Sequence, residues 1–466
     1  MINLGAIERE LLRVCMNKSS AEQRGKIGMV SKTNTYAILN YGCQMNESDA
    51  EEYAGILEKR GFIVSENPSC ANVVIINTCC VRESAEKKIW GKIGEFKRYK
   101  RENPEMLLVV AGCMAQKDQE GGYKRAPHVD IFLGTSKAKE LDQFLENRVF
   151  EEPFVFAPAD GARPEEIKRN KKISAWLPIM YGCNKWCTYC IVPKVRGPER
   201  SRSLEDILKE VTELALNGYK EITLLGQNVN SYGLDLPQKE KSFSHLLEKI
   251  AQVPGIERIR FMTSHPRDLD EETMDVMMKY PNICNHLHLP VQSGSDEILK
   301  RMNRGYTTEK YRNLIHSLRM RIPNIVLTTD LIVGFPGETE EQFMETVRFV
   351  EEIGYDQAYI FIYSPRSGTP AAEFENQISE EEKKERHHRL SDAQDRVGLL
   401  RMKAWEGRKT EVLVEGPTKN DIEVLCGRNE ENKLILWPKK DGGVVGEKFM
   451  VHIEKAQTFI LKGRGV

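Results

Sequence analysis

Cys183, Cys187 and Cys190 lie in the run Cys183-Asn-Lys-Trp-Cys187-Thr-Tyr-Cys190, three residues and then two residues apart. A structural zinc site takes four protein ligands, and no fourth ligand stands near this run. A cubane iron–sulfur cluster held by only three thiolates leaves one iron without a protein ligand. Such an open iron can chelate a small molecule through an amino group and a carboxylate. A partial zinc knuckle and a set of redox thiols are the competing readings.

A second set of three is spread through the first third of the chain. Tyr36-Ala-Ile-Leu-Asn-Tyr-Gly-Cys43, Asn72-Val-Val-Ile-Ile-Asn-Thr-Cys79 and Met106-Leu-Leu-Val-Val-Ala-Gly-Cys113 are short apolar runs that each end in cysteine. The intervals are 36 and 34 residues, each about one strand–helix unit. Ligands at the carboxyl ends of parallel strands converge on one edge of a sheet. Cys43, Cys79 and Cys113 could thus meet and hold a second open-coordination iron–sulfur cluster. The alternative is three buried strand-end cysteines, since free cysteine is a common core residue. Cys80 directly follows Cys79, and adjacent strand residues face opposite sides, so one of the two points at the site. Cys70, Cys284 and Cys426 have no partner at ligand spacing, and Cys15 reads as incidental.

The elements that would position these residues follow from the patterning. Residues 1–32 read as a mobile polar arm. Residues 33–150 alternate β-branched runs with helix-like stretches (Ser48–Arg60, Ser84–Lys100), which predicts a parallel α/β sheet. Within 169–400 there are six candidate strands: Ala175–Met180, Glu221–Leu225, Arg258–Met262, His286–Val291, Ile325–Val333 and Gln357–Tyr363. Helices lie between them, among them Ser203–Asn217, capped by Ser203, and Glu340–Ile353, stopped by Gly354. Six units predict a partial (β/α)6 TIM-like barrel rather than a full eight-stranded one. Ser379–Ala404 reads as a connecting helix with Glu381, Glu382, Lys383 and Lys384 on a solvated face. Residues 402–465 change character: Thr410–Val414, Ile422–Leu425, Lys433–Trp437 and Lys448–Ile453 are β-type runs between turn residues, which predicts a small all-β, OB-like barrel.

Composition sets limits on these readings. Among the 466 residues, 68 Lys and Arg balance 69 Asp and Glu, so a globally basic nucleic-acid binder is excluded. No apolar run approaches the ~20 residues that span a bilayer, and no signal-peptide core is present. A cytoplasmic monomer that engages no membrane is expected. Eleven cysteines cannot all pair, and a cytosolic protein of this size is not built on disulfides.

The cysteine loop, placed after a strand that opens six βα units, resembles the radical S-adenosylmethionine superfamily. Further runs are similar to the methylthiotransferase family. They are Tyr41-Gly-Cys-Gln-Met-Asn46, Asn77-Thr-Cys79, Ala111-Gly-Cys-Met-Ala-Gln116, Ile191-Val-Pro-Lys-Val-Arg-Gly-Pro-Glu-Arg-Ser-Arg202 and Leu225-Gly-Gln-Asn-Val-Asn-Ser-Tyr-Gly233. They continue through Thr263-Ser-His-Pro-Arg-Asp268, His288-Leu-Pro-Val-Gln-Ser-Gly294, Thr329-Asp-Leu-Ile-Val-Gly-Phe-Pro-Gly-Glu-Thr339 and Tyr363-Ser-Pro-Arg-Ser-Gly-Thr-Pro-Ala371. The terminal barrel resembles that family's TRAM domain, a nucleic-acid-binding module. The resemblance implies two 4Fe-4S clusters. One, on Cys43, Cys79 and Cys113, carries the sulfur that one S-adenosylmethionine methylates. The other, on Cys183, Cys187 and Cys190, binds a second S-adenosylmethionine and cleaves it to a 5′-deoxyadenosyl radical. The Asn-Thr-Cys pattern places the ligand at Cys79 rather than Cys80. The implied target is C2 of adenosine 37, already isopentenylated on N6, in a tRNA anticodon stem-loop. A reductant such as flavodoxin or ferredoxin is the implied electron donor. An aromatic C–H of this kind calls for a radical, because no side chain is basic enough to remove its proton.

The same resemblance points to further contacts. Tyr189 occupies the position whose backbone faces the adenine, though a packing aromatic is the alternative. Gly226, Gln227 and Asn228 end the second barrel strand, where the methionyl amine is usually held; the usual Gly-Gly-Glu is absent. Gln292 and Ser293 end the fourth strand at the barrel mouth, and His265 ends the third. His286 and His288 alternate on one strand face and read as core histidines. From Gly161 to Arg202 ten Lys/Arg face three acids, a net +7, so Lys194, Arg196, Arg200 and Arg202 are candidate phosphate contacts. Arg202 pairing with an internal carboxylate is the competing reading. The terminal barrel is only +1 from Trp405 onward, with eleven Lys/Arg against ten acids.

Two other targets share the implied chemistry: threonylcarbamoyladenosine in tRNA and an aspartate of a ribosomal protein. Thr263–Asp268 and Cys426-Gly-Arg-Asn429 resemble the dimethylallyladenosine branch. A non-catalytic iron–sulfur RNA-binding sensor is the reading from another class, and the intact triad in its barrel context argues against it.

Overall fold

The structure is a computed structural model and describes residues 34–80, 83–147, 154–155, 163–164, 166–237 and 242–466. The proposed N-terminal arm, 1–32, lies outside the described residues.

The first unit is a six-stranded, all-parallel sheet. Its spatial order is Ile63–Val64, Thr35–Tyr41, Val73–Thr78, Leu107–Gly112, Ile131–Leu133, Phe154–Val155. The apolar run Val73–Thr78 is buried throughout, as expected of a central strand covered on both faces. The three cysteine-ended strands are neighbours and end level, with Tyr41 paired to Thr78 and Thr78 to Gly112. A helix follows each of them: Gln44–Lys59, Glu83–Glu102 and Cys113–Arg125. The third helix was not expected. Gly121 and Gly122 interrupt its apolar pattern, and Gln119 breaks its backbone with φ +45°.

The second unit is the partial barrel. Ser174–Pro178, Glu221–Leu225 and Arg258–Phe261 form one parallel sheet, and His286–His288, Val326–Val333 and Gln357–Ile362 form another. A bridge between Ile259 and Ile283 joins them. Outward-facing Ile222, Leu224, Ile259, Phe261 and Leu287 belong to one large apolar core under the surrounding helices. Ser203 and Ser379 cap their helices through their side chains, and Gly354 ends Glu340–Ile353 in the left-handed conformation. Lys383 departs from the solvated face assigned to it. Its stem packs on Gly334, and its ammonium pairs with Glu380 at 2.8 Å, leaving the side chain buried.

The third unit is a closed five-stranded barrel of Lys409–Pro417, Val424–Asn429, Leu434–Pro438, Ile460–Gly465 and Lys448–Ala456. Ile460–Gly465 lies outside the β-type runs read from sequence, since Gly463 and Gly465 weaken a strand pattern; it closes the barrel by pairing parallel to Leu434–Leu436. The barrel docks on the amino ends of the core strands. Arg258 and Arg260 donate to the carbonyls of Arg428, Asn429 and Glu430. Lys433 pairs with Asp356 at 2.9 Å, both buried.

Candidate functional site

The cysteine loop leaves the barrel mouth under restraint at both ends. Met180–Tyr181 pairs antiparallel with Arg200–Ser201. Gly182 has φ +75°, and a Cβ there would lie 1.9 Å from the Pro198 carbonyl oxygen; only glycine permits this turn. Inside the loop each sulfur accepts an N–H. The Lys185 amide donates to Cys183 Sγ at 3.4 Å, Arg304 Nη1 donates to Cys187 Sγ at 3.3 Å, and the Val192 amide donates to Cys190. Burial pushes the Cys183 thiol up to about 11 and Cys190 up to about 12. Metal binding must therefore displace their protons, and the three donors stabilise the negative charge that results. Among the described residues no three His, Cys, Asp or Glu side chains close around a single metal ion. Three thiolates would hold three irons of a 4Fe-4S cluster and leave the fourth without a protein ligand. This donor set fits a three-thiolate cluster.

The mouth beside the loop is lined with polar atoms that have no partner in the protein. Gln227 Oε1, Asn228 Oδ1, Asn230 Nδ2 and Ser264 Oγ are all buried in this state. Such atoms cost free energy unless something else bonds them, and they fit the amino and carboxylate groups of S-adenosylmethionine. Gly226 packs against Met180, where a Cβ would approach to 2.7 Å. Asn228 Nδ2 is held by Ser231 and Asp268, each at 2.6 Å. Gln292 sits at φ +75° in a bridge with Leu331, a strained conformation for a non-glycine residue. Ser293 corrects the sequence reading: its hydroxyl is fully buried against Thr346 and the Ser295 amide, turned away from the mouth. The Tyr189 hydroxyl accepts from Arg304 at 3.4 Å, and the ring is half-buried. His265 lines a cavity of about 120 Å³ with Asn184, Lys185, Trp186, Arg267, Asn303 and Arg304. Burial, reinforced by Arg304, pushes it down to about 3, so it is neutral. His286 and His288 both contact Thr328 inside the barrel.

The second cysteine site forms where the three level strands end. Cys43 caps its helix, and Cys113 begins another, so helix amino termini face the sulfurs and favour negative charge. Two asparagines brace the strand ends. Asn46 accepts from the Cys43 amide at 3.3 Å and donates to Asn77 at 3.3 Å, while Asn77 donates to the Asn46 carbonyl at 2.7 Å. Gly112, at φ +92°, lets its strand approach the Thr78 carbonyl, which a Cβ would meet at 2.4 Å. Cys79 and Cys113 are buried and Cys43 is exposed. Cys80 is also buried and packs against Cys113; with Cys80 and Arg196 beside it, Cys113 is held below the usual thiol range. Four cysteines thus crowd this edge, and the structure brings Cys80 to Cys113.

The apparent basic surface is largely internal. Arg202, with 4% of its side chain exposed, pairs with Asp206 at 2.7 Å and with Glu210 at 2.8 Å. Arg163 and Arg169 also converge on Glu210, at 2.7 and 2.5 Å, and reach Glu52 and Glu51 on the first sheet's leading helix. Arg196 is equally buried and pairs with Asp49 at 3.1 Å. Arg196 and Arg202 therefore do not face RNA phosphate: carboxylates from Gln44–Lys59 and Leu204–Leu216 meet the charge counted in sequence. Lys194 is exposed and Arg200 half-buried.

Arg304, Asp268, Asp49 and Asn46 were not singled out from sequence. Asn46 and Asp268 each ended a quoted motif, while Arg304 lies 114 residues beyond Cys190 in a stretch that no motif marked.

Comparison with known proteins matches residues 177–350 to the radical SAM superfamily, 35–134 to an uncharacterized protein family, UPF0004, and 403–466 to the TRAM domain. The chain is 48% identical over 436 residues to a tRNA-2-methylthio-N(6)-dimethylallyladenosine synthase of Carboxydothermus hydrogenoformans, covering 92% of this chain and 98% of that one. Proteins of the same name from Clostridium perfringens and Moorella thermoacetica are each 46% identical, covering 92% and 94% of this chain and 97% and 100% of theirs. Among solved structures, a radical S-adenosylmethionine methyltransferase from Kitasatospora setae superposes with TM-score 0.52 at 15% identity. It covers 73% of this chain and 75% of its own, a likeness of fold. Among the described residues no helix is long and apolar enough to cross a membrane.

Proposed function

The chain belongs to the tRNA-2-methylthio-N(6)-dimethylallyladenosine synthase family, and from that membership we propose that it transfers a methylthio group to C2 of N6-dimethylallyladenosine at position 37 of tRNA. The observation that carries this reading is the pair of cysteine sites, one at the barrel mouth and one at the edge of the adjoining sheet. The Val192–Arg196 segment links them: Cys190 lies just before it, while Ile191 and Val195 pack on Cys80 and Cys113.

When bound, two 4Fe-4S clusters and S-adenosylmethionine supply the electron, the 5′-deoxyadenosyl radical and the methylthio group. Cys183, Cys187 and Cys190 would hold one cluster, and Cys43, Cys79 and Cys113 the other. Arg304 and the Lys185 and Val192 amides stabilise the anionic sulfurs of the first site. Gln227, Asn228, Asn230 and Ser264 orient S-adenosylmethionine. Neutral His265 offers the cavity beside Trp186 an imidazole without adding positive charge. Lys194 and Arg200 remain as phosphate contacts, joined by the TRAM barrel. The domain limits 33–150, 169–400 and 402–465, a flavodoxin- or ferredoxin-type reductant, a monomeric state and a cytoplasmic location belong to the same reading. Nucleoside mass spectrometry of tRNA from a strain lacking this protein tests the target: isopentenyladenosine should accumulate without its methylthio group. A normal methylthio level would remove the assignment.

A further inference from the structure

The buried Arg196 is not explained by docking the first sheet to the barrel. Its Nη2 donates to Asp49 at 3.1 Å, a complete pair for one guanidinium charge. Its Nη1 is buried and has no hydrogen-bond partner in the protein. The same guanidinium lies against the Cys113 sulfur and within electrostatic reach of Cys43. Ile191 and Val195, on the same short segment, pack with Cys80 and Cys113, and Nη1 itself is shut off from solvent. A buried charged donor left unbonded is costly, so a fourth group must meet Nη1, one that is anionic and sits among the cysteines.

We propose that Arg196 is the positioning residue of the second cysteine site: its Nη1 donates to the anionic sulfur-ligated group held by Cys43, Cys79 and Cys113. This rests on the two-site reading above and deepens it. Arg196 is supplied by the barrel unit, only six residues after Cys190, so one short segment fixes the second group relative to the first. Asp49 aims the guanidinium, and arginine is required because a lysine ammonium cannot span both Asp49 and the sulfurs as a planar fork does.

The test uses full-length protein carrying Cys183→Ala, Cys187→Ala and Cys190→Ala, reconstituted anaerobically so that only the second site is loaded. Iron content and the reduction potential by spectroelectrochemical titration are the readouts. A cation donating to the cluster favours its more negative, reduced form. Arg196→Met should therefore shift the potential to more negative values or lose iron while circular dichroism stays unchanged. Arg196→Lys should give a smaller shift in the same direction. Asp49→Asn, which frees the guanidinium charge, should shift the potential the opposite way. An Arg196→Met protein with about four irons and the parent's potential would overturn the proposal, as would a Lys variant that loses its iron while the Met variant keeps it. A parent that binds no iron would overturn the two-site reading itself, and this proposal with it.

Discussion

Arg304 Nη1 donates to Cys187 Sγ at 3.3 Å from a position 117 residues away in sequence. The same guanidinium reaches the Tyr189 hydroxyl at 3.4 Å, the Pro290 carbonyl at 2.9 Å and the Tyr306 hydroxyl at 3.1 Å. It therefore fixes the cysteine loop against the ends of the fourth strand and the segment that follows.

Arg304→Lys keeps the charge but loses the fork. Iron content should stay at the wild-type value while S-adenosylmethionine cleavage falls by about 10²-fold, the size expected when one preorganised donor is removed. Single-turnover measurement of 5′-deoxyadenosine checks this. A rate near wild type would show the contact to be idle.

Cys79 and Cys80 can be separated by iron counting. Two cubanes correspond to about eight irons per chain. Cys79→Ala should reduce this to about four, and Cys80→Ala should leave about eight. The reverse pattern would move the ligand to Cys80, the residue that packs against Cys113.

Gly112→Ala forces a side chain into φ +92° and toward the Thr78 carbonyl. The backbone cost alone is about 1–3 kcal/mol. Iron should fall selectively at the second site, with deoxyadenosine production retained. Urea unfolding combined with iron assay measures both effects, and a wild-type iron content would refute the close approach.

Glu210→Gln removes the carboxylate on which Arg163, Arg169 and Arg202 converge. Breaking such a buried network costs about 3–5 kcal/mol. Burial pushes Glu210 up, but Arg163, Arg202 and Arg169 outweigh it and hold the carboxyl below its usual range. Its stabilisation is therefore complete above the ordinary glutamate value of about 4.3 and is lost as pH falls through the lower folded value. Acid titration of wild type and variant should converge at low pH. Curves that stay parallel there would show that Glu210 is not the group responsible.

Much of the fold was legible because the signals were local. The β-branched runs before Cys43, Cys79 and Cys113 became adjacent parallel strands, and Ser203, Ser379 and Gly354 marked helix ends as capping chemistry requires. What stayed hidden depended on distant partners. The net +7 around the loop said nothing of Asp49, Glu51, Glu52 and Glu210, which only folding brings to Arg163, Arg169, Arg196 and Arg202. Ser293 follows the fourth strand near the mouth, yet side-chain direction there depends on Gln292, whose positive φ no sequence pattern reveals. The strand Ile460–Gly465 exists because a barrel must close, despite its two glycines.

The central claim is that two cysteine triads in one chain carry out one methylthio transfer. Anaerobically reconstituted protein, given S-adenosylmethionine, a reductant and tRNA bearing N6-dimethylallyladenosine, should yield 5′-deoxyadenosine together with the 2-methylthio nucleoside. Cys187→Ala should abolish both products, while loss of Cys43, Cys79 and Cys113 should abolish only the methylthio product. Methylthiolation that survives removal of either triad would contradict the account.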